Sequence, residues 1–370
     1  MPRPHQQHRQ AVKKVRRRCS CPRFLPHFLR RFGLMVGAIA ITLTLIACAG
    51  LPFQSNALPT VEITLVSINT TKAAYRNIIP KFTDQWRQEH NQNVVVTQSY
   101  GPSGSQTRAV LDGLDADIVH LSLPLDIQKL EQERLVASGW EKMLPNHSVP
   151  TESAVALIFR DGNPKTIQSW TDLTRPDISV LTADPKTSGA ARWNFLALWQ
   201  AGLSQGNTET AAKAFTGAVY GNAPILPRDS REATGIFYKQ SRGDVLINYE
   251  NEAILAAQNG EKLPYIVPGD NIRIENPVAL VSRNVEKHKN RAATEAFAEF
   301  LFSPVAQREF AKVGFRAVEP SIQSAFADEH PPLDNLVEAS EFGTWGQIQR
   351  RFFDSGALFD ELRSPNQSPQ

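Results

Sequence analysis

Short apolar runs alternate with helical patterns along the chain from residue 61 onward. Val61 to Ser67, Val94 to Gln98 and Asp117 to Leu121 are rich in β-branched and apolar residues, which is typical of buried strands. Segments with apolar residues at helical spacing separate them. This alternation of strands and helices predicts a parallel sheet with right-handed crossover connections.

A second series of strands follows after Ala154 to Arg160, which has the pattern of a strand leaving the first sheet. Each member of this series is followed by a helical pattern, and the members are Ile178 to Thr182, Ala223 to Leu226 and Val245 to Asn248. Two further runs, Tyr265 to Val267 and Val278 to Val281, are expected to lead back to the first series.

The predicted fold class is therefore α/β, with two lobes that are joined by crossing strands. Each lobe is expected to be a mainly parallel sheet flanked by helices. We assign 61–154 and 275–362 to the first lobe, 155–274 to the second lobe, and 363–370 to a disordered tail. Ligands of open α/β sheets bind beyond the carboxyl ends of the strands, so the cleft between the lobes is the expected site.

Ile178 to Gln200 is the stretch that points most directly to chemistry. A short apolar strand runs through turn-forming residues into a helix that is expected to begin near Ser188. The first N–H groups of such a helix have no partner within it, and they are directed beyond the sheet. This arrangement predicts an anion site.

Four junctions between a strand and a helix carry small polar residues or glycine, two in each predicted lobe. They are Asn69-Thr70-Thr71, Ser103-Gly104-Ser105, Ser188-Gly189-Ala190 and Asp229-Ser230-Arg231. Each helix N-terminus acts as a charge of about +0.5, so converging ends can hold a dianion without a buried Lys or Arg. Asp229 is an anion near this site, and we expect it to cap its own helix and to be turned away.

The first 60 residues differ in composition from the rest of the chain. They contain ten Lys and Arg and no Asp or Glu, and an apolar run from Gly33 to Ala47 follows the basic residues. This pattern predicts a secretory signal over residues 1–57. Leu45-Ile46-Ala47-Cys48 resembles a lipobox, in which Cys48 would be lipidated; cleavage after Ala57 is the alternative. A retained membrane anchor and a nucleic-acid-binding arm are weaker alternatives for this segment, because nothing extends the apolar run and the run itself favours export.

Removal of this leader changes the charge balance. The whole chain has 40 Lys and Arg against 37 Asp and Glu, whereas the remainder would have 30 against 37, a net charge near −7. This balance argues against a nucleic-acid partner. All three cysteines, Cys19, Cys21 and Cys48, lie in the leader, which excludes disulfides and cysteine metal sites from the rest of the chain. No metal and no cofactor are predicted.

An enzyme is the alternative from another class. Ser188 could act as a nucleophile, but no G-x-S-x-G motif surrounds it, and no serine has a lysine three residues later. The run GPSGSQT lacks the lysine of a nucleotide phosphate-binding loop. We therefore expect a binding protein rather than a serine-dependent hydrolase.

Four segments, QSYGPSGSQ, DPKTSGAARWN, GDVLINYENEA and FGTWGQIQRRFFDSGALFDEL, resemble those of the periplasmic sulfate- and thiosulfate-binding proteins of ABC importers. The resemblance extends from Val61 to about Leu362. It implies a type II periplasmic-binding-protein fold, a sulfate or thiosulfate ligand held by uncharged donors, and membrane permease subunits as partners. We expect a monomer in the periplasm.

The resemblance also implies which residues hold the ligand. By position, they are the N–H groups of Asn69, Ser103, Gly189, Ala190 and Ser230, the hydroxyl of Ser188, and Tyr249 in place of a tryptophan of the family. Asn69 replaces an aspartate of the family, and Ala190 replaces a glycine. The exchange at Tyr249 is the more serious one, because a phenol can accept a hydrogen bond as well as donate one.

Phosphate and molybdate or tungstate are the alternative ligands. Sulfate near neutral pH has only acceptors, whereas phosphate keeps a proton that needs an acceptor. A site made only of donors leaves that proton unpaired, at a cost of about 1–3 kcal/mol. A carboxylate of Asp229 that reached the ligand would favour phosphate instead.

Overall fold

Twelve strands form two four-stranded sheets and two short pairs in the described part of this computed structural model, which covers residues 58–363 except 331–332 and 334–335. The predicted leader with Cys48 lies outside the described residues, as does the tail from residue 364. The strands are β1 (Thr60–Ile68), β2 (Asn93–Gly101), β3 (Ile118–His120), β4 (Thr151–Ser153), β5 (Val155–Phe159), β6 (Val180–Leu181), β7 (Val245–Tyr249), β8 (Tyr265–Ile266), β9 (Asn271–Ile272), β10 (Ile274–Asn276), β11 (Val278–Leu280) and β12 (Leu336–Val337).

The helices flank these sheets, and none of those described is both long and apolar enough to cross a membrane. They are α1 (Lys72–His90), α2 (Ser103–Leu111), α3 (Pro124–Gln132), α4 (Pro145–Ser148), α5 (Gly189–Gly206), α6 (Glu209–Gly221), α7 (Ser230–Gln240), α8 (Glu250–Gln258), α9 (Ser282–His288), α10 (Arg291–Phe300), α11 (Pro304–Lys312), α12 (Pro320–Ala325), α13 (Trp345–Ile348) and α14 (Leu358–Arg363). A π-helical segment, Gln349–Phe353, continues α13.

The first sheet has the order β11–β3–β1–β2 and is mainly parallel, as predicted. Strand β1 pairs in parallel with β2 and with β3, and only β11 runs antiparallel. Helix α1 packs its apolar face into the core beneath this sheet, where Tyr75, Ile78 and Phe82 are buried. The carboxyl ends of β1, β2 and β3 therefore meet at one edge.

The second sheet has the order β6–β7–β5–β8 and differs from the prediction. Only β6 and β7 are parallel, whereas β5 runs antiparallel to both of its neighbours. The reason is the path of the chain, because β5 follows directly from the crossing strand β4 and enters the sheet from the opposite direction. The predicted strand at Ala223 to Leu226 was also wrong, since this segment lies outside every strand. Pro224 and Pro227 lack the N–H groups that a ladder needs.

Two antiparallel strands connect the sheets, which confirms the predicted crossing. Strand β4 leads into the second sheet and β10 leads back to the first, and they pair with Glu152 opposite Glu275. Strand β10 is followed after one residue by β11 of the first sheet.

The C-terminal segment packs against the second sheet, so the predicted lobe boundary at 275–362 was wrong for this part of the chain. Phe352 and Phe353 lie 5.3 Å and 5.1 Å from Phe195 of α5, measured between ring centroids. Trp345 lies 4.9 Å from Trp193 of the same helix. These aromatic residues complete the hydrophobic core that contains α5. The preceding helices α10 and α11, together with Phe315, belong instead to the core of the first sheet.

Arg363 was placed in the tail by the sequence, but it is the last residue of α14. Its Nη1 donates to the carbonyl oxygens of Tyr220 and Ala223. These bonds connect the last helix to the end of α6 and to the segment that follows it.

Candidate functional site

One small cavity lies where the carboxyl ends of β1, β2 and β3 face the N-termini of α5 and α7. Its volume is about 20 Å³. A single water needs about 10–15 Å³, whereas drug-sized ligands occupy pockets of roughly 300–1,000 Å³. The cavity therefore suits a small ion, and its lining consists of Ile68, Asn69, Thr70, Gly101, Pro102, Ser103, Ser122, Ser188, Gly189, Ala190, Asp229, Ser230 and Arg231.

The structure brings together six of the seven residues that the sequence nominated. Asn69, Ser103, Ser188, Gly189, Ala190 and Ser230 all line the cavity. Tyr249 does not. Four separate junctions of the chain thus converge on one point, as the pattern of strand-to-helix turns predicted.

The turn before α5 holds the helix end in place. The N–H groups of Thr187 and Ser188 donate to the carbonyl oxygen of Asp184, at 3.1 and 2.8 Å. The Ser188 hydroxyl then caps the helix by accepting from the N–H of Ala191 at 3.2 Å. Gly189 and Ala190 are the first two residues of the helix, so helix geometry leaves their N–H groups without an intrahelical partner.

Gly189 is required because the start of α5 lies very close to the cavity wall on the side of the first sheet. A Cβ atom at this position would lie 2.6 Å from Cβ of Ser122 and 3.2 Å from Cβ of Ser103. Both serines belong to the first sheet side of the cavity. Only glycine allows the backbone N–H of α5 to come this close to the opposite wall.

The Ser103 hydroxyl is already engaged. It donates to Oδ2 of the buried Asp126 at 2.7 Å and accepts from the N–H of Ser122 at 2.9 Å. Its backbone N–H, at the first residue of α2, has no intrahelical partner. Ser103 can thus serve through its N–H, as the resemblance implied, while its side chain fixes the position of Ser122.

Two further residues with hydroxyl groups, Thr70 and Ser122, line the cavity, and neither was nominated as a ligand contact from the sequence. The hydroxyl of Thr70 is buried and has no hydrogen-bond partner among the described residues, and the same holds for the hydroxyl of Ser230. Ser122 lies two residues after β3, at the carboxyl edge of the sheet. A polar residue after a buried strand was the available signal for Ser122, and Thr70 already lay within a nominated junction.

Asp229 caps its helix as predicted, but it is not turned away from the cavity. Its Oδ1 accepts from the N–H of Glu232 at 2.8 Å. Its Oδ2 accepts from Nδ2 of Asn69 at 3.3 Å, across the cavity. The two sides of the site are therefore joined by a hydrogen bond that the sequence reasoning did not foresee.

Arg231 places a guanidinium near the cavity, and its charge is balanced locally. Its Nη2 lies 2.9 Å from Oε1 of Glu252, whose side chain is fully buried. Because this ion pair is internally neutral, the donors left for an anion are mainly N–H and O–H groups. Among the described residues, no group of three or more His, Cys, Asp or Glu is arranged to hold a metal ion.

Tyr249 lies behind the lining, in the core of the second sheet. Burial raises the pKa of Tyr249 well above its ordinary value, and the nearby side chains of Asn276 and Ser122 oppose this shift. Its hydroxyl completes no hydrogen bond of normal geometry with a described residue. The ring of Tyr249 points from β7 into the core. This direction could not be predicted from the exchange of tryptophan for tyrosine.

Comparison with known proteins identifies the family. The family model for bacterial extracellular solute-binding proteins matches residues 63–316 of this chain. The chain belongs to this family. Solute-binding proteins are components of transport systems and do not catalyse reactions, so this chain is a binding protein and not an enzyme.

Relatives of this solute-binding protein match nearly its whole length. A sulfate-binding protein of Synechocystis sp. is 46% identical over 330 residues, which are 89% of this chain and 94% of the relative. A sulfate-binding protein of Salmonella typhimurium is 35% identical and covers 82% of this chain and 93% of its own. A thiosulfate-binding protein of Pseudomonas aeruginosa is 35% identical, with coverage of 86% and 97%.

A solved structure shows the same fold. The sulfate-binding protein SubI of Mycobacterium tuberculosis superimposes with a TM-score of 0.73 at 35% sequence identity, covering 80% of this chain and 100% of the other. The predicted α/β fold of periplasmic solute-binding proteins is thereby confirmed.

Proposed function

We propose that this protein captures sulfate, with thiosulfate as a second ligand, and delivers it to the permease of an ABC importer. The observation that carries the proposal is the convergence of helix starts with free N–H groups on a cavity of about 20 Å³. The names of the relatives support the choice of oxyanion. The expected donors are the N–H groups of Asn69, Ser103, Gly189, Ala190 and Ser230 with the hydroxyl of Ser188, and we add the hydroxyl of Thr70.

Magnitudes support a site of this kind. A hydrogen bond to a charged group contributes about 1.5–3 kcal/mol, so six or seven contribute roughly 9–20 kcal/mol. Micromolar affinity requires only about 8 kcal/mol. The difference can offset the desolvation of the ion and the ordering of the site.

Delivery follows from the position of the ligand between two sheets. A ligand that contacts both sides favours the arrangement in which they are close together. We propose that the permease recognises this closed arrangement. We also propose a periplasmic location after removal of the leader, either free or tethered through Cys48; mass spectrometry of the mature N-terminus distinguishes these two forms.

Isothermal titration calorimetry tests the ligand. Protein beginning at Leu58 is titrated with sulfate, thiosulfate, phosphate and molybdate. We expect binding of sulfate and thiosulfate and much weaker heats with the other two. Heat with phosphate or molybdate alone would overturn the assignment.

A proline substitution tests the role of the backbone donors. Ala190→Pro removes one N–H at the second position of α5, where helices tolerate proline, and the loss of one charged hydrogen bond should weaken sulfate binding about 10- to 150-fold. Thr210→Pro is the matched control, because this exposed residue holds the second position of α6, away from the cavity. An equal effect of the two substitutions would show that the N–H of Ala190 does not contact the ligand.

A further inference from the structure

We propose that Asn69 determines the selectivity of this site by covering the carboxylate of Asp229. The proposal rests on the proposed function, because it concerns which oxyanions enter the same cavity. It assigns a role to the Asn69 side chain in addition to the backbone N–H that was nominated from the sequence.

The geometry places a carboxylate at the edge of an anion site. Asp229 is 6% exposed and lines the cavity. It is the one carboxylate among the described lining residues. An uncovered carboxylate at this position would repel a dianion, and it would accept a hydrogen bond from a ligand that carries a proton, which offsets this repulsion.

Each oxygen of this carboxylate has a partner. Oδ1 is held by the N–H of Glu232, at the start of α7. Oδ2 is held by the side-chain amide of Asn69, which comes from the other side of the cavity. The Nε of Arg228 lies 3.8 Å from Oδ2, but this side chain is 68% exposed, so solvent weakens its effect. Asn69 is therefore the group that covers the oxygen facing the first sheet.

An amide is well suited to this task. It donates a hydrogen bond to the carboxylate without bringing a charge into the cavity and without titrating. A lysine at position 69 would add a cation that attracts every anion. An aspartate would place two carboxylates against each other, and one of them would take up a proton.

The chemical consequence is a choice between two ligand classes. Sulfate and selenate carry no proton near neutral pH, whereas phosphate and arsenate keep at least one. With Asp229 covered, the cavity presents mainly donors, and the fully ionised class is favoured. With Asp229 uncovered, its Oδ2 becomes an acceptor for the proton of the second class.

Calorimetric titration of three variants tests this proposal. Asn69→Ala uncovers the carboxylate, Asp229→Asn removes its charge, and the double variant Asn69→Ala with Asp229→Asn combines both. Each is titrated with sulfate, selenate, phosphate and arsenate. In Asn69→Ala we expect the ratio of phosphate affinity to sulfate affinity to rise about tenfold or more, and arsenate should follow phosphate. In the double variant this rise should disappear.

The ratio separates selectivity from a merely structural role. Loss of the hydrogen bond between Asn69 and Asp229 can weaken the binding of all four ligands alike. The ratio of phosphate affinity to sulfate affinity then stays unchanged. A ratio within about threefold of the wild type in Asn69→Ala would overturn the proposal. A rise of the same size in the double variant would also overturn the proposal. The double variant has no carboxylate at position 229, so the cause would then be the larger cavity.

A substitute variant is available if Asn69→Ala loses its native circular dichroism spectrum. Asn69→Leu keeps the side-chain volume while removing the donor, and the ratio of phosphate affinity to sulfate affinity is then measured for it.

The wild-type titration separates failure of the proposed function from failure of this proposal. Wild-type protein that binds no sulfate would overturn the proposed function itself. Wild-type protein that binds sulfate, with unchanged ratios in the variants, would overturn only the role of Asn69.

Discussion

Gly189→Ala is the substitution whose effect the structure specifies most directly. The new Cβ would lie 2.6 Å from Cβ of Ser122, whereas carbon atoms pack at about 3.5–4.0 Å. The Cβ atom of Ser122 is attached to the backbone, so no rotamer change relieves the contact. The helix end and the opposite wall must therefore separate by about 1 Å.

This separation acts on the ligand more than on the fold. Overpacking of this kind costs about 1–3 kcal/mol, which corresponds to an affinity for sulfate that is about 5- to 150-fold lower. If the ion remains on the side of the first sheet, the N–H of Gly189 should also move beyond hydrogen-bond distance of it. Calorimetric titration gives the affinity, and thermal unfolding with and without sulfate gives the ligand-dependent rise in Tm, which should shrink.

Gly235→Ala is the matched control. Gly235 lies inside α7, and a Cβ there would meet no atom within 4 Å. Alanine should stabilise this helix by about 0.5–1 kcal/mol and leave sulfate affinity unchanged. If Gly189→Ala bound sulfate as tightly as Gly235→Ala does, the close approach at Ser122 would not be part of the bound state, and the reasoning from this contact would be refuted.

Three further predictions concern buried and charged side chains. His120 is fully buried, and burial lowers its pKa to about 3. Its unfolded form takes up a proton below about 6.5, so stability is complete above that pH and falls as the pH decreases. In urea titrations between about pH 6.5 and 4.5, His120→Gln should lose about 2 kcal/mol less than the wild type; an equal loss would contradict this assignment. The hydrogen bond to Asp117 raises the pKa of His288, so its contribution is complete below the unfolded pKa and is lost as the pH rises through the folded value. His288→Gln should therefore destabilise the protein more at acidic than at alkaline pH, and a loss that does not depend on pH would count against the ion pair. Tyr249→Phe should change sulfate affinity less than about threefold, because the phenol lies behind the lining; a loss of tenfold or more by calorimetry would place it in contact with the ion.

Much of the site was predictable because its determinants are local. The turn residues before Ser188 and the helical spacing after it define where α5 begins, and a helix start has free N–H groups whatever packs around it. The same reasoning located the junctions at Asn69, Ser103 and Ser230. Strand β1 and its parallel neighbours followed from the rhythm of apolar runs.

Other features could not be predicted, because they depend on segments that are distant in sequence. The direction of β5 depends on the end of the second sheet from which the chain enters, and its own apolar residues are the same in either direction. The aromatic residues around Phe352 could have packed on either core. Asn69 and Asp229 are 160 positions apart, and no local pattern indicates that they meet.

By itself, the amino-acid sequence determined where the helices of the site begin, which backbone groups they leave unpaired, and the class of fold. These properties follow from turn chemistry and from the periods of about two and 3.6 residues, which act within a few residues. Only the tertiary structure decided that Ser122 and Thr70 join the lining, that Tyr249 stays behind it, and that Asn69 covers Asp229. The physical reason is that burial selects which faces come together, and a face can find many partners of similar hydrophobicity until the whole chain has packed.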